Sequence, residues 1–241
     1  MTTAQTEAGH LLIISDFNSD ILCGLLENDT RPPRIKPFAS GFDQVIPALL
    51  DGEASMWQGK QATLVWTRPE AVSETFFRTK NLESANHDLA LEEVDFFCDA
   101  ILSARNRVPT MLVATWHLTE SSRGYGMLDL RWGLGVRSLL ARMNRRLTQR
   151  LGDQEGIYVL DSTRWFSCKE SCSVKMWYLA KVPFSNEVFK AAIGDFKSAL
   201  RGINGDIRKI VICDLDETLW GGIVGEIGWQ NLCLGGHDPA R

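Results

Sequence analysis

Residues 11–18 read LLIISDFN: a short apolar run that closes on a small residue, a carboxylate, an aromatic ring and an amide. An unbroken apolar run of this length suits a strand buried on both faces of a parallel sheet. The same grammar recurs at ATLVWT (62–67), TMLVAT (110–115), GIYVL (156–160) and KIVIC (209–213), with a weaker candidate near Ile35 to Phe38. Between these runs the apolar period lengthens. Over 87–103, Leu91, Val94, Phe97, Cys98, Ile101 and Leu102 recur at helical spacing, and over 186–203 Val188, Ala192, Phe196, Ala199 and Leu200 do the same after Ser185 as a candidate N-cap. Strands alternating with helices predict an α/β fold with a parallel sheet and crossover helices.

RGINGD (201–206) breaks the last of these helices with two glycines, and a domain boundary is placed there. The expected organisation is a disordered tail over 1–10, an α/β domain over 11–205, and the start of a second domain over 206–241.

In open parallel sheets ligands sit outside the carboxyl ends of the strands. The residues at those ends are Asp16 and Asn18, Thr67 and Arg68, Trp116 and His117, and Asp161. If residues 11–205 form one sheet, they share one rim and become its candidate binding groups. Polar residues follow strands in every α/β protein, so each also reads as the ordinary end of a strand.

Composition limits the function classes. At 241 residues and 44% hydrophobic the chain can bury a full core, and a formal net charge of −4 argues against a general nucleic-acid binder. Six cysteines are scattered; Cys168 and Cys172 form a lone C-x-x-x-C without a second pair, a poor zinc signature, and reduced thiols are the simpler reading. The start MTTAQTEAGH lacks the basic and apolar blocks of a secretory signal, and no run of about 18 apolar residues occurs. A soluble cytoplasmic protein, bound to neither membrane nor nucleic acid, is expected.

The second domain opens with VICDLDETLWGGIVGE (211–226). A D-x-D-x-T directly after an apolar strand suits phosphoryl transfer through an aspartyl-phosphate. Asp214 would attack phosphorus in line, and Asp216 would give a proton to the leaving oxygen and later take one from water. Two carboxylates so close repel, so Mg²⁺ is expected at Asp214 and Asp216, bridging Asp214, a backbone carbonyl near Asp216 and the substrate phosphate. Thr218 could hydrogen-bond within the turn, and the glycine-rich stretch after it suits a hairpin flap. Alternation along the strand turns Cys213 away from Asp214 and into core packing. The carboxylates alone read equally as an acidic turn between a strand and a helix.

The stretch DLDETLWGG (214–222) resembles the first motif and flap of FkbH-like proteins, a branch of the haloacid dehalogenase superfamily. WYLAKVPFS (177–185) is similar to the same family, and YGMLDLRWG and ARMNRRL, within 125–147, more faintly so. The resemblance implies Asp214 as nucleophile, Asp216 as acid/base and Mg²⁺ as cofactor. It also implies an activity: a glyceryl unit is taken from 1,3-bisphosphoglycerate, phosphate is removed, and the acyl group is loaded on an acyl carrier protein in polyketide-type secondary metabolism. A catalytic domain of that kind needs further motifs and on the order of 120 residues. The stretch after Thr218 is too short for them, so the expectation is the N-terminal part of a longer enzyme, inactive by itself.

For residues 11–205 the resemblance implies a three-layer, flavodoxin-like sandwich of the SGNH-hydrolase type, whose active members place a nucleophilic Ser after the first strand and an Asp-x-x-His before the last helix. Here Ser15-Asp16-Phe17 puts Phe at the nucleophile position, and Leu179 to Pro183 supplies neither Asp nor His. Ser19 lies nearby without an aligned base, so the esterase reading is weak.

RSLLARMNRRLTQR (137–150) reads as an amphipathic helix with Leu139, Leu140, Met143 and Leu147 inward and Arg137, Arg142 and Arg145 outward. Arg146 falls on its flank and Arg150 at its end. A solvated helix face is the plain meaning. The alternative is a basic surface, with Arg142 and Arg146 foremost, that steers an acidic carrier protein.

Overall fold

The computed structural model describes residues 9–118, 124–168, 170–206, 213–231 and 233–234. The chain divides into two compact units, Met1–Leu200 and Arg201–Arg241.

In the first unit, β1 (Gly9–Ser15), α1 (Asp20–Asn28), β2 (Ile35–Ala39), α2 (Val45–Asp51), α3 (Ala54–Trp57) and β3 (Ala62–Trp66) follow one another. Then come α4 (Pro69–Val72), α5 (Glu74–Lys80), α6 (His87–Ala104), β4 (Thr110–Ala114), α7 (Val136–Leu151), β5 (Ile157–Leu160), α8 (Val174–Ala180) and α9 (Asn186–Ile203). The strands form one parallel five-stranded sheet in the order β2-β1-β3-β4-β5, so the fold is α/β with flavodoxin-like topology. β1 starts at Gly9 rather than Leu11, because Gly9 and His10 pair with Ile35 and Lys36. The weak strand candidate is real: it is β2, at the sheet edge, where the missing N–H of Pro37 costs little.

Alternation along the strands divides the core. Leu12, Ile14, Val65, Met111 and Val113 turn to one face and pack with buried residues of α2, α6 and α7. On the other face Trp66 meets Phe189 of α9 at 5.8 Å between ring centroids. Beside Phe189 lies a set of aromatic rings. Phe17 sits edge-on to Trp66 at 5.5 Å and to Phe184 at 5.3 Å, Phe184 stacks on Trp66 at 5.1 Å, and Trp165 meets Trp66 at 4.8 Å.

The helix read over 87–103 runs to Ala104, and Ser185 does cap α9, its Oγ accepting from the N–H of Val188 at 3.4 Å. Helix α7 buries Leu139, Leu140, Met143 and Leu147 as its period requires. Arg137 and Arg145 are exposed and Arg146 half-buried on the flank, as expected, whereas Arg142 departs from expectation. Arg142 is turned down onto Asp88 at 2.5 Å, beneath the ring of Trp132, and its side chain is 13% exposed. Arg146 grips Asp95 with two hydrogen bonds of 2.7 Å each, and Arg150 pairs with Asp95 and Asp99. Arg137 lies 3.4 Å from Asp129. The acidic side of α6 packs beside α7 and pairs with Arg142, Arg146 and Arg150, so Arg142 is turned inward rather than outward.

In the second unit, β6 (Trp220–Gly221) pairs antiparallel with β7 (Cys233–Leu234), and α10 (Val224–Ile227) and a 3-10 turn, Trp229–Asn231, lie between them in sequence. The expected hairpin flap is thus a short ribbon closed through helical turns. Residues 207–212, which hold most of the strand expected over 209–213, and the closing GGHDPAR lie outside the described residues. No residue of 213–231 is buried. Cys213 is exposed rather than packed, because the described part of this unit has no core to take it. Among the described residues no helix is long and apolar enough to cross a membrane.

Candidate functional site

The carboxyl ends of β1 and β3 flank the point where the sheet order reverses, the usual ligand position in this topology. Of the residues expected at this rim, Thr67, Arg68 and His117 line one cavity of about 500 Å³, and the rest are placed elsewhere. Asp16 lies beneath the cavity, 1% exposed, with Oδ1 accepting from the backbone N–H of Arg68 at 2.8 Å and Oδ2 from Arg68 Nε at 2.7 Å. Burial pushes the Asp16 carboxyl up, against the opposing pull of the Arg68 guanidinium and N–H. Asn18 lies just before α1, accepts from the N–H of Asp20 at 2.9 Å, and borders a separate depression. Trp116 is buried and donates its indole N–H to Thr67 Oγ1 at 3.0 Å. Asp161 accepts from the N–H of Thr163 at 3.0 Å, and its bonding to Thr163 holds its carboxyl below the usual range. The shared rim is corrected in that respect: short polar side chains after a strand turn back to satisfy the nearest loose N–H groups.

The cavity has a floor of β3 and β4 ends, one wall from α4 and α5, and another from residues 166–184. The guanidinium of Arg68 lies over the ring of Trp177 with its carbon 3.6 Å from the centroid, and His117 stacks on Phe166 at 4.3 Å. Trp177, which sits in a stretch noted in the sequence only for resemblance, is the wall residue that sequence reasoning missed. A helix as short as α8 has too few turns to show a period, so nothing in the pattern flagged it. Phe17, which the resemblance sets at the nucleophile position, is 1% exposed among aromatic rings, and Ser19 is itself buried.

The second candidate site is the acidic motif, within its own unit. Asp214 is exposed, its Oδ1 accepting from the N–H of Leu215 at 2.8 Å. Asp216 is half-buried and held by Oδ1, which accepts from Trp220 Nε1 at 3.0 Å and from the N–H of Val224 at 3.2 Å. Thr218 is exposed and joins the turn through its backbone, N–H to Leu215 O at 3.4 Å, not through a hydroxyl bond among the described residues. Glu217 has a role the sequence did not reveal: at φ 57° it occupies the left-handed region and accepts the N–H of Gly222 at 2.8 Å. Gly222 itself sits at φ 101°, and a Cβ there would meet Ile227 Cδ1 at 2.2 Å. The loop after the carboxylates is thus tied back to them by Trp220, Gly222 and Val224.

Asp214 and Asp216 supply hard oxygen donors of the kind Mg²⁺ prefers. Among the described residues, however, no group of three His, Cys, Asp or Glu side chains comes together. The described residues do not by themselves make a complete Mg²⁺ site.

No protein-family model matches the chain, and no curated protein is similar to it. Solved structures do match. The N-terminal part of a Bacteroides fragilis protein containing a phosphatase domain, complexed with Mg, superposes with a TM-score of 0.74 at 16% identity over 93% of this chain and 60% of that one. The chain therefore spans about 60% of the length of that structure. A GDSL-like lipase from Bacteroides thetaiotaomicron (TM-score 0.46, 9% identity, 83% of this chain and 91% of that one) is also similar. So is a carbohydrate esterase family 3 enzyme from Talaromyces cellulolyticus (TM-score 0.49, 13% identity, 83% of this chain and 100% of that one). At such identities the likeness to the phosphatase-domain protein is one of fold.

Proposed function

We propose that this chain is the N-terminal portion of a phosphoryl-handling enzyme of the haloacid dehalogenase type, FkbH-like, with Asp214 as nucleophile and Asp216 as acid/base. The carrying observation is the motif geometry: Asp214 exposed for attack, two residues before an Asp216 fixed by Trp220 and Val224. In the proposed reaction an Asp214 carboxylate oxygen bonds to phosphorus as the bond from phosphorus to the leaving oxygen breaks, and the proton on Asp216 passes to that oxygen. Asp216 then takes a proton from water, whose oxygen attacks phosphorus and frees the Asp214 carboxylate. Mg²⁺ dependence belongs to the proposal, with ligands beyond Asp214 and Asp216. The finer assignment is a glyceryl unit taken from 1,3-bisphosphoglycerate and loaded on an acyl carrier protein.

Two observations support an enzyme larger than the described residues. Leu215, Leu219, Ile223, Ile227 and Trp229 are exposed, an apolar surface of the sort a catalytic domain would cover. The fold neighbour from Bacteroides fragilis contains a phosphatase domain and was complexed with Mg. The test is phosphate release by the product of the whole reading frame. Asp214→Asn should abolish Mg²⁺-dependent release, and unchanged release would remove Asp214 as nucleophile.

The rim cavity favours a second reading, in which the first unit is a non-catalytic module that binds the acyl substrate or its carrier. With Arg142 and Arg146 engaged by α6, that reading moves from the arginine face of α7 to the cavity of Arg68 and Trp177.

A further inference from the structure

Arg68 is held twice and used on one side. Its Nε is committed to the buried Asp16 and its flat face to Trp177, which together fix the plane of the guanidinium. Among the described residues neither Nη1 nor Nη2 has a hydrogen-bond partner, although the side chain is only 23% exposed and borders the cavity. A fork of N–H donors whose rotamer is already fixed loses little entropy on binding, and its geometry matches a carboxylate. Lys80, the other cation of this wall, is spoken for by Glu70. Beside Arg68 the mixed lining includes the rings of Phe77, Phe166, Trp177, Tyr178 and Phe184. A volume of about 500 Å³ lies within the roughly 300–1,000 Å³ range of small-molecule sites.

We infer that this cavity binds a small monocarboxylate with an apolar or aromatic body, the carboxylate on Nη1 and Nη2 of Arg68 and the body among Trp177, Phe166 and Phe184. The inference rests on the binding-module reading and narrows it to an anion of stated shape; it is independent of the phosphoryl chemistry at Asp214. A doubly charged phosphate fits less well, because Asp16 already offsets the Arg68 charge and Glu74 adds a negative group to the lining.

The experiment is calorimetric titration of the 241-residue chain with phenylacetate, its neutral isostere phenylacetamide, and inorganic phosphate. Phenylacetate should bind about tenfold or more tightly than phenylacetamide, the worth of a charge-assisted hydrogen bond, and more tightly than phosphate. Arg68→Gln should remove that preference. Because this change leaves Asp16 buried without its partner and could unfold the protein, Glu74→Gln is the companion variant. Removing that exposed negative charge should tighten phenylacetate about twofold at low salt and leave phenylacetamide unchanged. Equal binding of acid and amide, with Glu74→Gln silent, overturns the anion site but leaves an acyl-binding module standing. Phosphate binding as tight as phenylacetate overturns the apolar half of the inference. No binding of either phenyl compound overturns the site and the module reading in this cavity together.

Discussion

The indole N–H of Trp220 points at Oδ1 of Asp216 from 3.0 Å, so the second carboxylate of the motif is oriented by the residue four positions on. The bond carries an observable in solution. The Trp220 Nε1–H resonance should move on Asp216→Ala and stay in place on Asp214→Ala, as read by two-dimensional NMR of the labelled chain. An indole signal indifferent to Asp216→Ala would show that the tie does not persist.

A hydroxyl introduced at position 17 should not create an esterase. Phe17 is packed against Trp66, Phe184 and Phe189. Phe17→Ser opens a cavity worth about 3–5 kcal/mol of stability and leaves the new hydroxyl without a base. Urea unfolding should register the loss, and a chromogenic acetate ester should remain intact. Ester turnover by this variant would mean that a base lies within reach of position 17 after all.

His87 opens α6 at 4% exposure, with Nδ1 lacking a hydrogen-bond partner among the described residues. Burial first, and the Arg142 charge second, hold its pKa below the usual 6.5, with Asp88 opposing. A base whose folded pKa is depressed stays neutral in the fold while the unfolded chain takes up a proton near 6.5. Its contribution is therefore complete above that value and is lost as pH falls below it, towards the lowered folded value. Urea midpoints should decline between about pH 7.5 and 5.5. His87→Leu should flatten that decline, and an identical decline in the variant would assign it to other groups.

The pairing of α6 with α7 should be modest in energy despite its geometry. Arg146 is 39% exposed and Asp95 25%, so solvent screens the pair, and a double-mutant cycle of Arg146→Ala with Asp95→Ala should return a coupling of about 1 kcal/mol or less. Arg150 also reaches Asp95, at 3.5 Å, and takes over part of the interaction when Arg146 is removed. A coupling of several kcal/mol would mean that the interface excludes water far better than these exposures imply.

The strands are legible because burial on both faces leaves short, uninterrupted, β-branched-rich apolar runs such as LLIIS, ATLVW and TMLVA. β2 was faint for a physical reason: an edge strand tolerates Pro37 and lets Lys36 face solvent. Helices α6, α7 and α9 showed their period over 16 to 18 residues, whereas α5 and α8, at 7 residues each, are too short for one. The site divides the same way. Asp214 and Asp216 declare themselves through spacing, and Arg68 and His117 through their place after strands. Spacing along one segment could not reveal that Trp177 crosses over to cover Arg68, or that Asp88 and Asp95 claim Arg142 and Arg146. Those partners are set by which elements become neighbours in the sheet and layers.

The indoles of Trp66 and Trp165, 4.8 Å apart and inclined at 69°, are close enough for their electronic transitions to couple. Near-ultraviolet circular dichroism should therefore carry a signed signal that belongs to the interior of the first unit. Eight tryptophans would ordinarily blur an optical melting curve, and this pair gives the sheet domain a signature of its own.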